Sequence, residues 1–445
     1  MDVLGWAAVG LVGLEWLGIG WLAGMRWPGG DDPSATWGLR LLVGAVLTTF
    51  AMLVLASVGV GFSRPILVLA MAALAAIGLR VVQRSTGCND QRTKCKKERL
   101  SSTRERIGWI ALGILLVAAV ARAFSVPESG WDAYSHWGLK ALAYSQTGTI
   151  VGTYTVHEYY PPLVPLAEAL VYIQRGSASI DLGKDVWALI ASAFVLCLAG
   201  QLRRLLFRRW LAPFVAAGVL LVSTQLLEDF STGQADLALT AFLTLATLAA
   251  LQWLRDGQRG WLAQVALFAA AAALAKFEGL PRVGVIAAAA AVEAALLRRA
   301  GAWWPVVWLV VGGLAGAAVW LGFELAHGIT PTGEHVGALQ PQALGATALA
   351  LIAVFGGLRT GGAILAVVLA WLVAAKRSLA QPTRLLALVV LGQALATVVA
   401  FLVSDTAPDV EVRTAATRLV EQFMPVALVL SAVWLEAELI IRPAR

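Results

Sequence analysis

Asp132, His136 and Lys140 stand four residues apart in the stretch "ESGWDAYSHWGLKA" (128–141). On a helix this spacing gathers the three side chains on one face. A carboxylate there can take a proton, and a neighbouring imidazole and ammonium can tune its charge. Trp131, Tyr134 and Trp137 are interleaved with them. The stretch "HEYYPPLVPL" adds Glu158, with Tyr160 directly before Pro161 and Pro162. Paired prolines break regular structure and push the residue before them toward extended geometry. "GQADLALTAF" opens a helix with Asp236, and "ALAKFEGLP" sets Lys276 and Glu278 at a helix end. "RTAATRLVEQFMP" places Arg418 and Gln422 one turn apart, just before Pro425. Alone, Asp236 would serve as an N-terminal helix charge, Lys276 would snorkel and His136 would make a structural hydrogen bond. As a set they suit a reaction between a phosphate-bearing donor and a hydroxyl or amine acceptor. One carboxylate removes the acceptor proton, while Lys276 and Arg418 hold the phosphate.

The elements that must position these residues are membrane helices. Of 445 residues, 59% are hydrophobic and only 14% charged, and the mean hydropathy is +0.77. Apolar blocks such as "WWPVVWLVVGGLAGAAVWLGF" have the ~20 residues that a helix needs to cross a bilayer. The pattern predicts an all-α polytopic membrane protein with about thirteen spans. These lie near 3–25, 41–61, 64–82, 107–124, 186–202, 211–227, 237–254, 261–275, 280–297, 303–325, 361–375, 385–403 and 419–440. The apolar stretch 341–358 reads as a short interfacial or re-entrant helix. Residues 1–83 form a three-helix block that begins with a span, not a removable signal. Residues 84–106 form a basic linker and 107–445 the catalytic core. The long loop 125–185 is expected to hold two interfacial helices, a platform over the bundle. Glu15 falls inside the first span, where a hydrogen bond to another helix is its expected role.

Charge sets the expected orientation. The linker 84–106 carries eight Lys/Arg against three acids, and "RRLLFRRW", "RDGQR", "LRRAG", "AKRS" and "RPAR" fall on its side. The positive-inside rule makes that side cytoplasmic, with the N-terminus outside and the C-terminus inside. The expected location is a bacterial-type inner membrane. The net charge of +7 follows from this topology and implies no nucleic-acid partner. All four histidines (136, 157, 327, 335) and Asp132, Glu158, Asp236, Glu278 and Asp405 then lie outside. Cys88 and Cys95, separated by six residues in the linker with no nearby histidine, make a poor zinc site.

In order and sidedness these motifs resemble the GT-C superfamily of polyprenyl-phosphate-sugar-dependent glycosyltransferases. That superfamily includes protein O-mannosyltransferases and the lipid A aminoarabinose transferase. The resemblance runs over roughly 107–440, on Asp132 in "WDAYSHWGLKA", Tyr160, Pro161 and Pro162, Asp236, the pair Lys276 and Gly279, and Arg418 before Pro425. It implies a GT-C-like fold and inverting transfer of a sugar from a polyprenyl (undecaprenyl) monophosphate to an extracytoplasmic glycan, lipid or protein acceptor. Asp132 would act as base and Asp236 would position the acceptor or a cation. Lys276 and Arg418 would hold the phosphate, and His136, Trp137, Lys140, Glu158, Tyr160, Glu278 and Gln422 would position substrate among membrane lipids. A Mg2+ or Mn2+ ion between Asp132 and Asp236 is an open option. Three spans precede the one that leads into the matching Asp here. The alternative reading is a transporter or lipid flippase with the external polar groups as its gate.

Overall fold

The computed structural model describes residues 3–23, 28, 32–70, 72–73, 103–128, 130–152, 157–177, 179–330, 339–355, 367, 371, 383–404 and 407–441. Helix is the only extended regular structure among them. Among the described residues eight helices are long and apolar enough to cross a bilayer, or ten if each of two bent pairs is one span. This is the architecture of an all-α multi-pass membrane protein. Of the thirteen expected spans, 64–82 and 361–375 lie largely outside the described residues, as do His335, Asp405 and most of the basic linker with Cys88 and Cys95.

Two helices near the N-terminus, α1 (Val3–Leu22) and α2 (Pro33–Ser57), pack closely enough that Gly20 meets the Arg40 backbone and Gly44 the Trp16 backbone. Both share one continuous hydrophobic core with the rest of the bundle. Glu15 in α1 accepts a hydrogen bond from Gln174 Nε2 at 2.7 Å. The carboxylate inside the first helix thus ties two helices together, as its placement predicts.

The chain continues through α3 (Thr103–Ser125), a π-helical turn (Ala133–Gly138) running into α4 (Leu139–Thr147), and α5 (Leu163–Arg175). The platform expected over the bundle is not what α5 makes. Every residue from Leu163 to Ile173 is buried, and the helix packs against α1, α2 and α4. Its sequence "LVPLAEALVYI" is apolar on nearly all sides, which suits a helix enclosed by protein and not one lying half in water.

Next come α6 (Val186–Leu205), α7 (Ala212–Val222), α8 (Thr224–Thr232) and α9 (Ala235–Asp256). The span expected over 211–227 is the bent pair α7–α8, which turns by 73° near Ser223. α10 (Arg259–Ala275), α11 (Gly279–Leu297) and α12 (Trp304–His327) pack side by side, with Gly312 and Gly316 of α12 against the backbone of α10. A short apolar helix, α13 (Leu344–Phe355), falls within 341–358, where a short element was expected. α14 (Arg384–Leu402), α15 (Pro408–Glu421) and α16 (Met424–Ile441) complete the fold. The last span, expected over 419–440, is met by α16, and the chain turns by 50° between α15 and α16. Pro425 accounts for the turn, because its ring excludes the helical carbonyl four residues earlier and it has no N–H to donate.

Polar groups collect at the two ends of the bundle. At one end Arg204 pairs with Asp256 at 2.6 Å, Arg384 with Glu293 at 2.5 Å, and Arg203 with Asp32 at 2.7 Å and Glu105 at 3.0 Å. Glu436 accepts there from the backbone N–H groups of Phe207 and Arg208. These belong to the basic loops that the charge pattern puts on one side. The other end holds the candidate chemistry.

Candidate functional site

Four separate pieces of chain meet at that second end. The loop between α10 and α11 is the tightest. Lys276 is extended (φ −158°, ψ 155°), and the Gly279 N–H returns to the Lys276 carbonyl at 2.9 Å. A Cβ on Gly279 would lie 1.9 Å from the Ala272 carbonyl oxygen, so only glycine fits. The Lys–x–x–Gly spacing is therefore what holds Lys276 against the start of α9. There its Nζ donates to both oxygens of Asp236, at 3.1 and 3.3 Å, and pairs with Glu278 at 3.2 Å. Gln422, at the turn before α16, donates to Asp236 Oδ1 at 2.8 Å. Burial works against the Lys276 charge, yet Asp236 and Glu278 outweigh it and hold its pKa above the ordinary lysine value.

Arg418, one turn before Gln422 on α15, donates to Asp132 at the start of the π-helical turn. The wide turn leaves Asp132 and His136 facing a shared cavity and carries Lys140 into the protein interior. The Lys140 ammonium donates to the His157 carbonyl and lies 5.8 and 5.7 Å from the Trp137 and Tyr160 ring centres. Burial pushes its pKa down to about 7, with Glu158 opposing part of the shift. His157 has a left-handed backbone (φ 48°), an uncommon conformation for a residue with a side chain. Lys140 on its carbonyl and the Tyr159 hydroxyl, 2.9 Å from its Nδ1, hold it there. Its ring lies against that of His136, with centres 4.3 Å apart and planes tilted by 35°. Burial and then the adjacent His157 lower the His136 pKa, which favours the neutral imidazole.

The Lys140 amine makes a pH-dependent contribution with a definite sign. Between pH 7 and about 10 the unfolded chain still binds the proton that the buried amine has given up, so stability rises with pH across that window. The melting temperature of the wild type should therefore gain on that of Lys140→Met as pH is raised from 7 to 10. A gap that does not change with pH contradicts this account of Lys140.

The cavity has a volume of about 560 Å3. Asp132, His136, Trp137, Tyr160, Lys276, Glu278 and Arg418 line it. Asp236 and Gln422 sit directly behind Lys276, Lys140 lies behind the aromatic pair, and Glu158 is outside the lining. The sequence reading did not single out His157, Tyr159, Phe277, Arg282 or Glu411, which also line it. Tyr159, Tyr160, His157 and Phe277 form one wall, with neighbouring ring centres 5.0 to 6.3 Å apart. The opposite wall is apolar and is built from Val285 of α11 and Ala396, Val399 and Ala400 of α14. It extends to the outside of the bundle, where Val399 is 41% exposed.

No group of three or more His, Cys, Asp or Glu side chains among the described residues is placed to hold a metal ion. Asp132 is paired with Arg418 and Asp236 with Lys276, an arrangement that does not fit a divalent ion between the two carboxylates.

The sequence matches no protein-family model and no curated protein. Function therefore has to be argued from the site itself.

Proposed function

We propose that the protein is a glycosyltransferase that moves a sugar from a polyprenyl monophosphate donor to a hydroxyl or amine acceptor. The observation that carries this reading is the composition of the cavity. Two carboxylate–cation pairs, Asp132–Arg418 and Asp236–Lys276, stand beside an aromatic wall and face an apolar wall open to the outside of the bundle. A sugar suits the aromatic faces. A phosphate suits the guanidinium of Arg418, and a prenyl chain suits the apolar opening between α11 and α14. The GT-C resemblance of the motifs supports the same assignment and its inverting stereochemistry.

In this scheme the donor phosphate takes over the Arg418 guanidinium and frees the Asp132 carboxylate. Asp132 then accepts the acceptor proton as the acceptor oxygen or nitrogen bonds to the anomeric carbon. The bond from that carbon to the phosphate oxygen breaks, and the electron pair leaves on polyprenyl phosphate, held by the cationic side chains. Asp236, locked by Lys276 and Gln422, is a fixed negative charge that orients the groups around it. No step is routed through a metal. The site end faces the extracytoplasmic side of a bacterial-type inner membrane in this reading, because the opposite end carries the basic loops.

Arg418→Ala tests the donor contact. The variant should bind a polyprenyl-phosphate sugar roughly 10- to 100-fold more weakly, the range for losing a charge-assisted hydrogen bond. The rate at saturating donor should fall much less. Unchanged donor affinity removes Arg418 from the site. A transporter reading has less support, since the candidate site lies at one end of the bundle and not near its middle.

A further inference from the structure

The three cations around the cavity are not equivalent. Lys276 is committed to Asp236 and Glu278, and Arg418 is paired with Asp132. Arg282, in the first turn of α11, is buried at 4% exposure and lines the same cavity. Its guanidinium donates only to neutral acceptors: Gln393 Oε1 at 2.9 Å, Thr397 Oγ1 at 3.1 Å and the Leu419 carbonyl at 3.3 Å. No carboxylate pairs with it among the described residues. Gln393 in turn donates to the Arg282 carbonyl at 2.9 Å, and Thr397 donates to the Gln393 carbonyl at 3.0 Å, so the whole group is braced. A buried cation whose direct partners are all neutral is costly; Glu278 and Asp236 act on its charge only from beyond ion-pair distance and are both engaged by Lys276. Such a group is retained where an anion completes it.

We propose that Arg282 is the primary anchor of a lipid-borne phosphate group, with Arg418 as the second contact. Its position carries the assignment. Arg282 donates to the carbonyl of Leu419, the residue after Arg418, and both arginines line the same cavity, where a phosphate has access to each. The N-terminal end of α11 adds its partial positive charge to the same spot. Arg282 sits on α11 and its braces Gln393 and Thr397 sit on α14, the two helices that form the apolar wall. A headgroup at Arg282 therefore starts where a prenyl chain can run outward past Val285 and Val399. Lys276, satisfied by two carboxylates, holds Asp236 in place and is not the main phosphate contact. The identification of the lipid as a sugar donor rests on the function proposed above, whereas the anion site does not.

The test uses the full chain in lipid nanodiscs, with polyprenyl monophosphate, the uncharged polyprenol and inorganic phosphate as separate probes. Arg282→Gln should weaken binding of the lipid phosphate roughly 10- to 100-fold and leave polyprenol binding unchanged. Arg282→Lys should recover part of the loss and, by keeping the charge, separates an anion contact from a folding defect. Inorganic phosphate should compete only at far higher concentration, since it lacks the chain. Unaltered lipid-phosphate affinity in Arg282→Gln overturns the proposal, as does an equal loss for polyprenol. Inorganic phosphate binding as tightly as the lipid would overturn the lipid-borne assignment. Arg282-dependent binding with no sugar transfer would sink the transferase reading and leave this site standing. Transfer with normal donor affinity in Arg282→Gln would do the reverse.

Discussion

Asp132→Asn should lose sugar transfer by roughly 100- to 10,000-fold, the range that a positioned general base supplies. The same substitution should not weaken donor binding. In the structure Asp132 occupies Arg418, so a donor phosphate must displace it. An uncharged asparagine competes less well for that guanidinium, and the donor Kd should stay level or fall. This split between turnover and binding is specific to a carboxylate that serves as base and also masks the phosphate contact. A parallel loss of binding and turnover would mean that Asp132 only shapes the cavity. Turnover within a few-fold of wild type would remove it as the base. Isothermal or fluorescence binding of the donor to the variant, set beside its turnover, separates these outcomes.

The second large effect is on stability. Lys276→Met should destabilise the protein by about 3–5 kcal/mol, the usual consequence of removing one partner of a buried ion pair. Asp236 is 1% exposed, and without Lys276 it keeps the Gln422 amide and the more distant charge of Arg418, itself paired with Asp132. The double variant Asp236→Asn/Lys276→Met removes the stranded charge and should recover most of the loss. Such a double-mutant cycle in detergent measures the coupling directly. Additive losses would show that Lys276 and Asp236 do not depend on each other.

Residue type and placement made much of this site readable in advance. Asp132, Asp236, Lys276, Arg418 and Gln422 stand out because charged or polar groups are rare in so apolar a chain, and the structure does bring them together. Glycine at 279 and proline at 425 carry local geometry that a sequence displays: a close backbone approach and a helix break. The pairings are another matter. Asp132 and Arg418 are 286 positions apart, and nothing in the spacing says which cation meets which carboxylate. The π-helical turn at Ala133–Gly138 is a shift in backbone hydrogen bonding that side-chain periodicity does not reveal. The enclosure of α5 depends on α1, α2 and α4 folding around it, and was missed because an apolar helix after prolines reads equally as interfacial. Arg282 did leave a signal, a single charge early in the otherwise apolar "GLPRVGVIAAAAAV", and an arginine within a span is by default a functional candidate.

The most direct measurement is the fate of a labelled sugar on a polyprenyl monophosphate incubated with the purified wild-type protein in proteoliposomes. The account predicts that label leaves the lipid, that polyprenyl phosphate appears in equal amount, and that both depend on Asp132. Label that stays on an intact lipid while that lipid crosses the bilayer would contradict it and make the protein a carrier.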